Sequence, residues 1–282
     1  MLTLGLSIVK IAATAYAGIF LLVFFRQSKY VYYPGRAVDG TPADARMAYE
    51  DVSLRTQDGE TLNGWYVPAT TNRETAPVLL DCHGNAGDIG DRVGSVQTFH
   101  NMGLNVLIFD YRGFGRSTGK PTEQGTYMDA MAAWDYLTKQ KGFATNQVIV
   151  FGRSLGGSIA AWLAAQVQPG ALVTESAFTS APDMARRMFP YLPCRLLCRF
   201  KYDTLSHVKK IRCPVLIAHS RNDEMIPFEN GRRLFEAANE PKVFVEMCGE
   251  HNSGGLDVNP DYQQVLSTFI GTYVKSSATE EQ

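Results

Sequence analysis

The sequence predicts a doubly wound α/β domain, a mostly parallel sheet of about eight strands with helices on both faces, preceded by one long apolar helix. Three observations lead there. Short apolar runs of strand length alternate with helical stretches. Most of those runs are continuous, which is how strands covered on both faces look. The composition, 45% apolar and 20% charged over 282 residues, is that of a chain that buries a core. With 27 basic and 28 acidic residues the net charge is −1, which excludes a disordered chain and a basic nucleic-acid scaffold, so no nucleic-acid partner is expected. Five cysteines are too few and too scattered for a disulfide framework, and an odd count leaves at least one free. No pair of C-x-x-C motifs is present, so no metal site is expected.

In chain order, residues 2–25 carry a single charge, Lys10. A helix over residues 4–25 is about 33 Å long at 1.5 Å per residue, enough to cross a hydrocarbon core of about 30 Å. Arg26 and Lys29 stop the run, and Tyr30, Tyr32 and Tyr33 read as an interfacial aromatic belt. A cleaved signal peptide and a helix docked on the folded domain are the competing readings. The A-x-A sequences at 13–15 and 15–17 precede the most apolar stretch instead of following it, which favours a span. Residues 1–29 are read as a transmembrane anchor and 30–45 as a linker, with Pro34-Gly35 and Gly40-Thr41-Pro42 as turn signals. Arg26, Lys29 and Arg36 after the span, unpaired cysteines and the lack of an N-x-[ST] sequon point to a cytoplasmic domain.

Two early strands are expected at 50–55 and 62–67, joined by the turn Asp58-Gly59. Further strands follow at 77–81, 105–110, 147–151, 171–174, 214–218 and 243–247, with helices such as 127–140 and 154–165 between them. Strand–helix alternation means parallel pairing with right-handed crossovers. The domain is read as 46–275, with 276–282 a disordered tail. Residues 178–212 form a cap segment that sets eight basic residues, among them Arg186, Arg187, Arg195 and Arg199, against Asp183 and Asp203. Pro190 and Pro193 limit it to short helical pieces. Its basic side can meet anionic headgroups or an acidic substrate; alternatively, these are solvated turns whose apolar side covers a pocket. Cys194 and Cys198, one turn apart, read as packing residues.

In such a sheet the loops at the carboxyl ends of the strands build the site. After the strand ending near Phe151, Gly152-Arg153-Ser154-Leu155-Gly156 is a G-x-S-x-G sequence that opens a helix, the context in which a serine is exposed on a tight turn. A serine hydroxyl needs a base. Of five histidines, His83 belongs to a glycine-rich turn, His100 to a helix, His207 to the connector and His219 to a strand end. His251 lies just past the last strand, and the chain order serine, acid, histidine selects it. The acid that orients it falls after the strand at 214–218, where Asp223 and its neighbour Glu224 compete. Glu175, at the same edge, reads as a supporting group. His83-Gly84-Asn85 follows an earlier strand end, where Gly84 lets the backbone approach closely. The N–H groups of Asn85 and Leu155 are the expected oxyanion donors, each typically contributing roughly 3 kcal/mol.

Together these segments resemble the α/β-hydrolase superfamily, and within it the membrane-anchored serine hydrolases related to protein depalmitoylases. The resemblance rests on His83-Gly84-Asn85-Ala86-Gly87, Asp110-Tyr111-Arg112-Gly113-Phe114-Gly115-Arg116-Ser117, Gly152-Arg153-Ser154-Leu155-Gly156-Gly157, Asn222-Asp223-Glu224-Met225-Ile226-Pro227 and Gly249-Glu250-His251-Asn252. It implies an α/β-hydrolase fold with a short cap insertion, favours Asp223 over Glu224, and makes the Asp110–Ser117 segment a structural loop at the active-site edge. No cysteine precedes Cys82, so a transmembrane span replaces the lipidated cysteine cluster by which the depalmitoylases attach. The function expected is a membrane-tethered serine hydrolase of the carboxylesterase or thioesterase type. Its substrates would be acyl esters, lysolipids or acylated proteins, cleaved by Ser154, Asp223 and His251 with no cofactor. A serine peptidase of the same fold and a non-catalytic membrane scaffold are the alternatives.

Overall fold

The computed structural model describes residues 2–274 and opens with α1 (Leu2–Val31), a single helix longer than the run of apolar residues alone requires. Residues 276–282, read above as a tail, lie outside the described residues. Of α1, the 28 residues Leu4–Val31 are long and apolar enough to cross a membrane. Its first half stands clear of the domain and exposes Leu6, Val9 and Ile11 to the surroundings.

The helix does not lead into a free linker. Tyr32, which the sequence suggested for an aromatic belt, is buried instead, its hydroxyl 2.7 Å from that of Tyr202. The Tyr202 hydroxyl in turn lies 2.9 Å from Oγ1 of Thr126, so a buried polar group that would otherwise be costly is satisfied. β1 (Tyr33–Pro34) then pairs in parallel with a second two-residue strand, Ala86–Gly87. A short 3-10 turn at Pro42–Ala45 ends the connection.

The main sheet has eight strands: β2 (Glu50–Arg55), β3 (Thr61–Val67), β4 (Val78–Cys82), β6 (Asn105–Phe109), β7 (Val148–Arg153), β8 (Ala171–Glu175), β9 (Val215–Ser220) and β10 (Lys242–Met247), with β5 being the short Ala86–Gly87 strand. Their order is β10-β9-β8-β7-β4-β6-β3-β2, parallel except where β3 meets β6 and β2. Every strand expected from the sequence is present, each within two residues of its expected limits. The two-residue β1–β5 pair has too few residues to leave a periodic signal.

Helices α2 (Val93–Asn101), α3 (Glu123–Asp135), α4 (Leu155–Val167), α5 (Ala181–Met188), α6 (Cys194–Leu197), α7 (Thr204–Val208), α8 (Glu229–Ala237) and α9 (Pro260–Tyr273) complete the fold. α3 begins earlier than the apolar pattern suggested, because the Thr122 hydroxyl accepts the N–H of Gly125 as an N-cap. It continues as one π-helical turn, Tyr136–Gln140. Successive strand residues point to opposite faces. Leu80, Val150, Leu172 and Ile217 therefore pack under α3, α4, α7 and α8, while Leu79, Ile149, Val173 and Leu216 pack against α2 and α9. Continuous apolar strands are the consequence. The exposed edge strand β2 alternates instead, burying only Val52 and Leu54. All five cysteines are free thiols.

Candidate active site

Ser154 sits between β7 and α4 with φ +55° and ψ −119°, a backbone conformation that a non-glycine residue adopts only when its surroundings impose it. The flanking glycines explain how the turn closes. A Cβ on Gly156 would overlap the carbonyls of Cys82 and His83, and one on Gly152 would overlap the carbonyl of Gly156. The Ser154 N–H is tied to the carbonyl of Glu175 at 2.9 Å.

His251 places Nε2 3.1 Å from Ser154 Oγ and Nδ1 2.8 Å from Asp223 Oδ2. Burial alone would raise the Asp223 carboxyl. The hydrogen bond from His251, the amide of Ile226 at 2.7 Å and the nearby imidazoles outweigh it and hold the group below its ordinary value. Asp223 thus stays ionised beside the imidazole. Its rival Glu224 supports the loop instead, its carboxylate accepting the backbone N–H of His251 at 2.8 Å. Asn85 and Leu155 line the same cavity as Ser154 and His251. The five residues selected from the sequence therefore converge from four loops.

The other histidines stay out of that arrangement. His83 is buried and its imidazole is pushed down to about 3, chiefly by burial, so it is neutral. His219 is buried beneath Asp223, with Nε2 2.8 Å from the carbonyl of Ile226, and burial lowers it too. His100 contacts Thr70 and His207 packs near Tyr127. In the Asp110–Ser117 loop, the Tyr111 hydroxyl donates to the carbonyl of His83 at 3.0 Å, and Asp110 accepts the Ile89 N–H at 3.0 Å. Arg112 bridges Asp58 and Asp129, both through charge-assisted bonds. The loop is thus a brace behind the Gly84–Asn85 turn.

Two contributors escaped the sequence reading. Arg153, the variable position of the serine motif, donates to the carbonyls of His251 at 2.6 Å and Gly254 at 2.9 Å. Its Nε lies 3.2 Å from Oε1 of Glu175, whose Oε2 accepts the N–H of Leu256 at 3.0 Å. This pair, a half-buried arginine on a buried carboxylate, fastens the His251 loop to β7 and β8. Nothing in the motif distinguishes an arginine used this way from a solvated one.

The second contributor is α1. The cavity in front of Ser154 has a volume of about 450 Å³, and Phe20, Val23, Phe24, Gln27, Tyr30 and Val31 form one of its walls. These residues share one face of the helix, which an apolar sequence hides among residues of the same character, and this half of α1 fits the docked-helix alternative. The remaining wall comes from α5, α6 and the segments beside them, including Met184, Met188 and Phe200.

The family profile described as "Serine aminopeptidase, S33" matches residues 73–200. The chain is 32% identical to the alpha/beta hydrolase domain-containing protein WAV2 of Arabidopsis thaliana, over 94% of each chain. It is 31% identical to the lysophosphatidylserine lipase ABHD12 of Rattus norvegicus, over 73% of this chain and 58% of that one. Among solved structures, an esterase of Pyrococcus furiosus superposes with a TM-score of 0.72 at 20% identity, covering 86% of this chain and 98% of the other, a likeness of fold. With the sheet order, the serine turn and these relatives together, the chain belongs to the alpha/beta hydrolase family and is a hydrolase.

Proposed function

We propose that the protein is a membrane-tethered serine hydrolase that cleaves carboxylic esters or thioesters of acyl chains. The observation that carries the reading is the continuous chain Asp223–His251–Ser154, at 2.8 Å and 3.1 Å, opening on an apolar cavity. Ser154 Oγ attacks the carbonyl carbon while His251 Nε2 takes its proton. Asp223 holds Nδ1–H, fixing the tautomer and stabilising the imidazolium. The N–H groups of Asn85 and Leu155 face the oxyanion, and the helix start at Leu155 adds its dipole. His251 then gives the proton to the departing alkoxide or thiolate. In the second half, water attacks the acyl-enzyme with His251 as base, and Ser154 regains its proton.

The acyl preference is supported by the cavity lining, which is largely aromatic and aliphatic, and by the lipase among the relatives. Tethering is supported by the 28-residue apolar helix, whose apolar side chains are largely exposed. Arg26, Lys29 and Arg36 at its domain end support a cytoplasmic catalytic side. A fluorophosphonate probe is expected to label the wild type and not Ser154→Ala, and the variant is expected to lose hydrolysis of p-nitrophenyl butyrate. Full hydrolysis by Ser154→Ala would sink the mechanism. An aminoacyl amide cleaved faster than the ester would favour the peptidase reading.

A further inference from the structure

Taking the membrane-spanning reading of α1 as its basis, we infer that the tip of the cap lies in the leaflet nearer the catalytic domain and that the substrate's acyl chain enters the cavity directly from the bilayer, along the Phe20–Phe24 face.

The argument begins with length. The Tyr16 hydroxyl donates to the carbonyl of Tyr191, at the tip of the cap between α5 and α6. Only residues 2–16 of α1 therefore stand beyond the domain, about 22 Å at 1.5 Å per residue, against a hydrocarbon core of about 30 Å. A helix that crosses the bilayer must draw the cap tip in with it. The cap tip is built for that position: Tyr191 is 89% exposed, Leu196 87% and Met188 54%, beside the exposed Leu21, Leu22 and Phe25 of α1. In water these side chains expose apolar area; in hydrocarbon they are solvated.

The register of α1 and cap is fixed by specific bonds. The Gln27 side-chain amide donates to the carbonyl of Leu197 at 2.8 Å and accepts the N–H of Arg199 at 2.8 Å. Tyr30 packs edge-on against Phe189 with ring centroids 5.5 Å apart. These contacts seat one face of α1 against the domain while the opposite face stays exposed. Phe20, Val23 and Phe24 on the inner face line the cavity that holds Ser154, so the wall at bilayer depth is continuous with the wall at the serine. A membrane-dissolved acyl ester can then slide its chain onto this face without crossing water.

Two sets of variants of the full-length protein, reconstituted in phosphatidylcholine vesicles, test this. Val23→Trp narrows the wall and is expected to lower the ratio of kcat/KM for a p-nitrophenyl palmitate to that for the butyrate at least tenfold, through KM. Phe25→Trp, on the exposed face, is expected to keep the wild-type ratio. Tyr191→Glu/Leu196→Glu is expected to lose at least tenfold in rate on the palmitate dissolved in vesicles while retaining the rate on water-soluble butyrate. A wild-type ratio in Val23→Trp, or an undiminished vesicle rate in the glutamate pair, would overturn the inference while leaving the serine mechanism standing. A wild type that hydrolyses neither ester would instead overturn the serine-hydrolase reading and this inference with it.

Discussion

The guanidinium of Arg153, beside Ser154, donates to the carbonyl of His251 at 2.6 Å, so the neighbour of the serine also holds the backbone that carries the histidine. Loss of this tie frees the loop without touching substrate. Arg153→Met is expected to lower kcat for p-nitrophenyl butyrate by about 10–100-fold with little change in KM, since displacements of about 1 Å at a reacting group cost rates of that order. Arg153→Lys, able to replace one of the two bonds, is expected to fall between. Steady-state kinetics on both variants checks the split; a change confined to KM would assign the arginine to substrate binding.

Asp223 and Glu224 are adjacent carboxylates with separable duties. Asp223→Asn should favour the wrong histidine tautomer and lower kcat by roughly 10⁴. Glu224→Gln keeps an oxygen able to accept the His251 N–H, and is expected to stay within about tenfold of wild type. Measuring kcat/KM for both at neutral pH distinguishes them, and equal losses would mean that the two acids act as one unit.

Asp81, buried in the sheet, is raised from its ordinary 3.8 to about 7, chiefly by burial. Between those values the folded protein binds more protons there than the unfolded chain, so this group makes stability fall as pH rises from about 4 to about 7. Asp81→Asn removes that dependence. The Tm of the variant relative to wild type is expected to increase across this window and to level off above it. A Tm difference independent of pH would show that Asp81 ionises normally.

Tyr32→Phe removes one member of the Tyr32–Tyr202–Thr126 hydroxyl chain. Chemical denaturation in detergent is expected to show a loss of about 1 kcal/mol, the usual net value of one buried hydrogen bond. Tyr202→Phe, which loses contact with both neighbours, is expected to cost more.

The sheet was legible because burial on both faces writes apolar runs into the chain, and six of these sit where β4 and β6 to β10 are, while the Asp58-Gly59 turn marked β2 and β3. The serine turn was legible because its sterics admit only glycine at Gly152 and Gly156. Tyr32 was misread because an aromatic next to a membrane span and an aromatic in a core look alike in one dimension. Only its partner Tyr202, 170 positions away, tells them apart. Arg153 and Glu224 were obscured for the same reason: both act through backbone atoms of the His251 loop, and backbone partners leave no residue-type signature.

The β1–β5 pair and the Asn85 side chain link α1 to the candidate site. The Tyr33 N–H bonds the carbonyl of Asn85 at 2.9 Å, and the Asn85 side chain bonds the carbonyl of Val31, the last residue of α1, at 3.0 Å. α1 and the turn that carries Asn85 are thus joined directly, by one backbone and one side-chain hydrogen bond. In the membrane-spanning reading, a tilt of α1 to match the bilayer's hydrophobic thickness would be carried to the turn that holds Asn85.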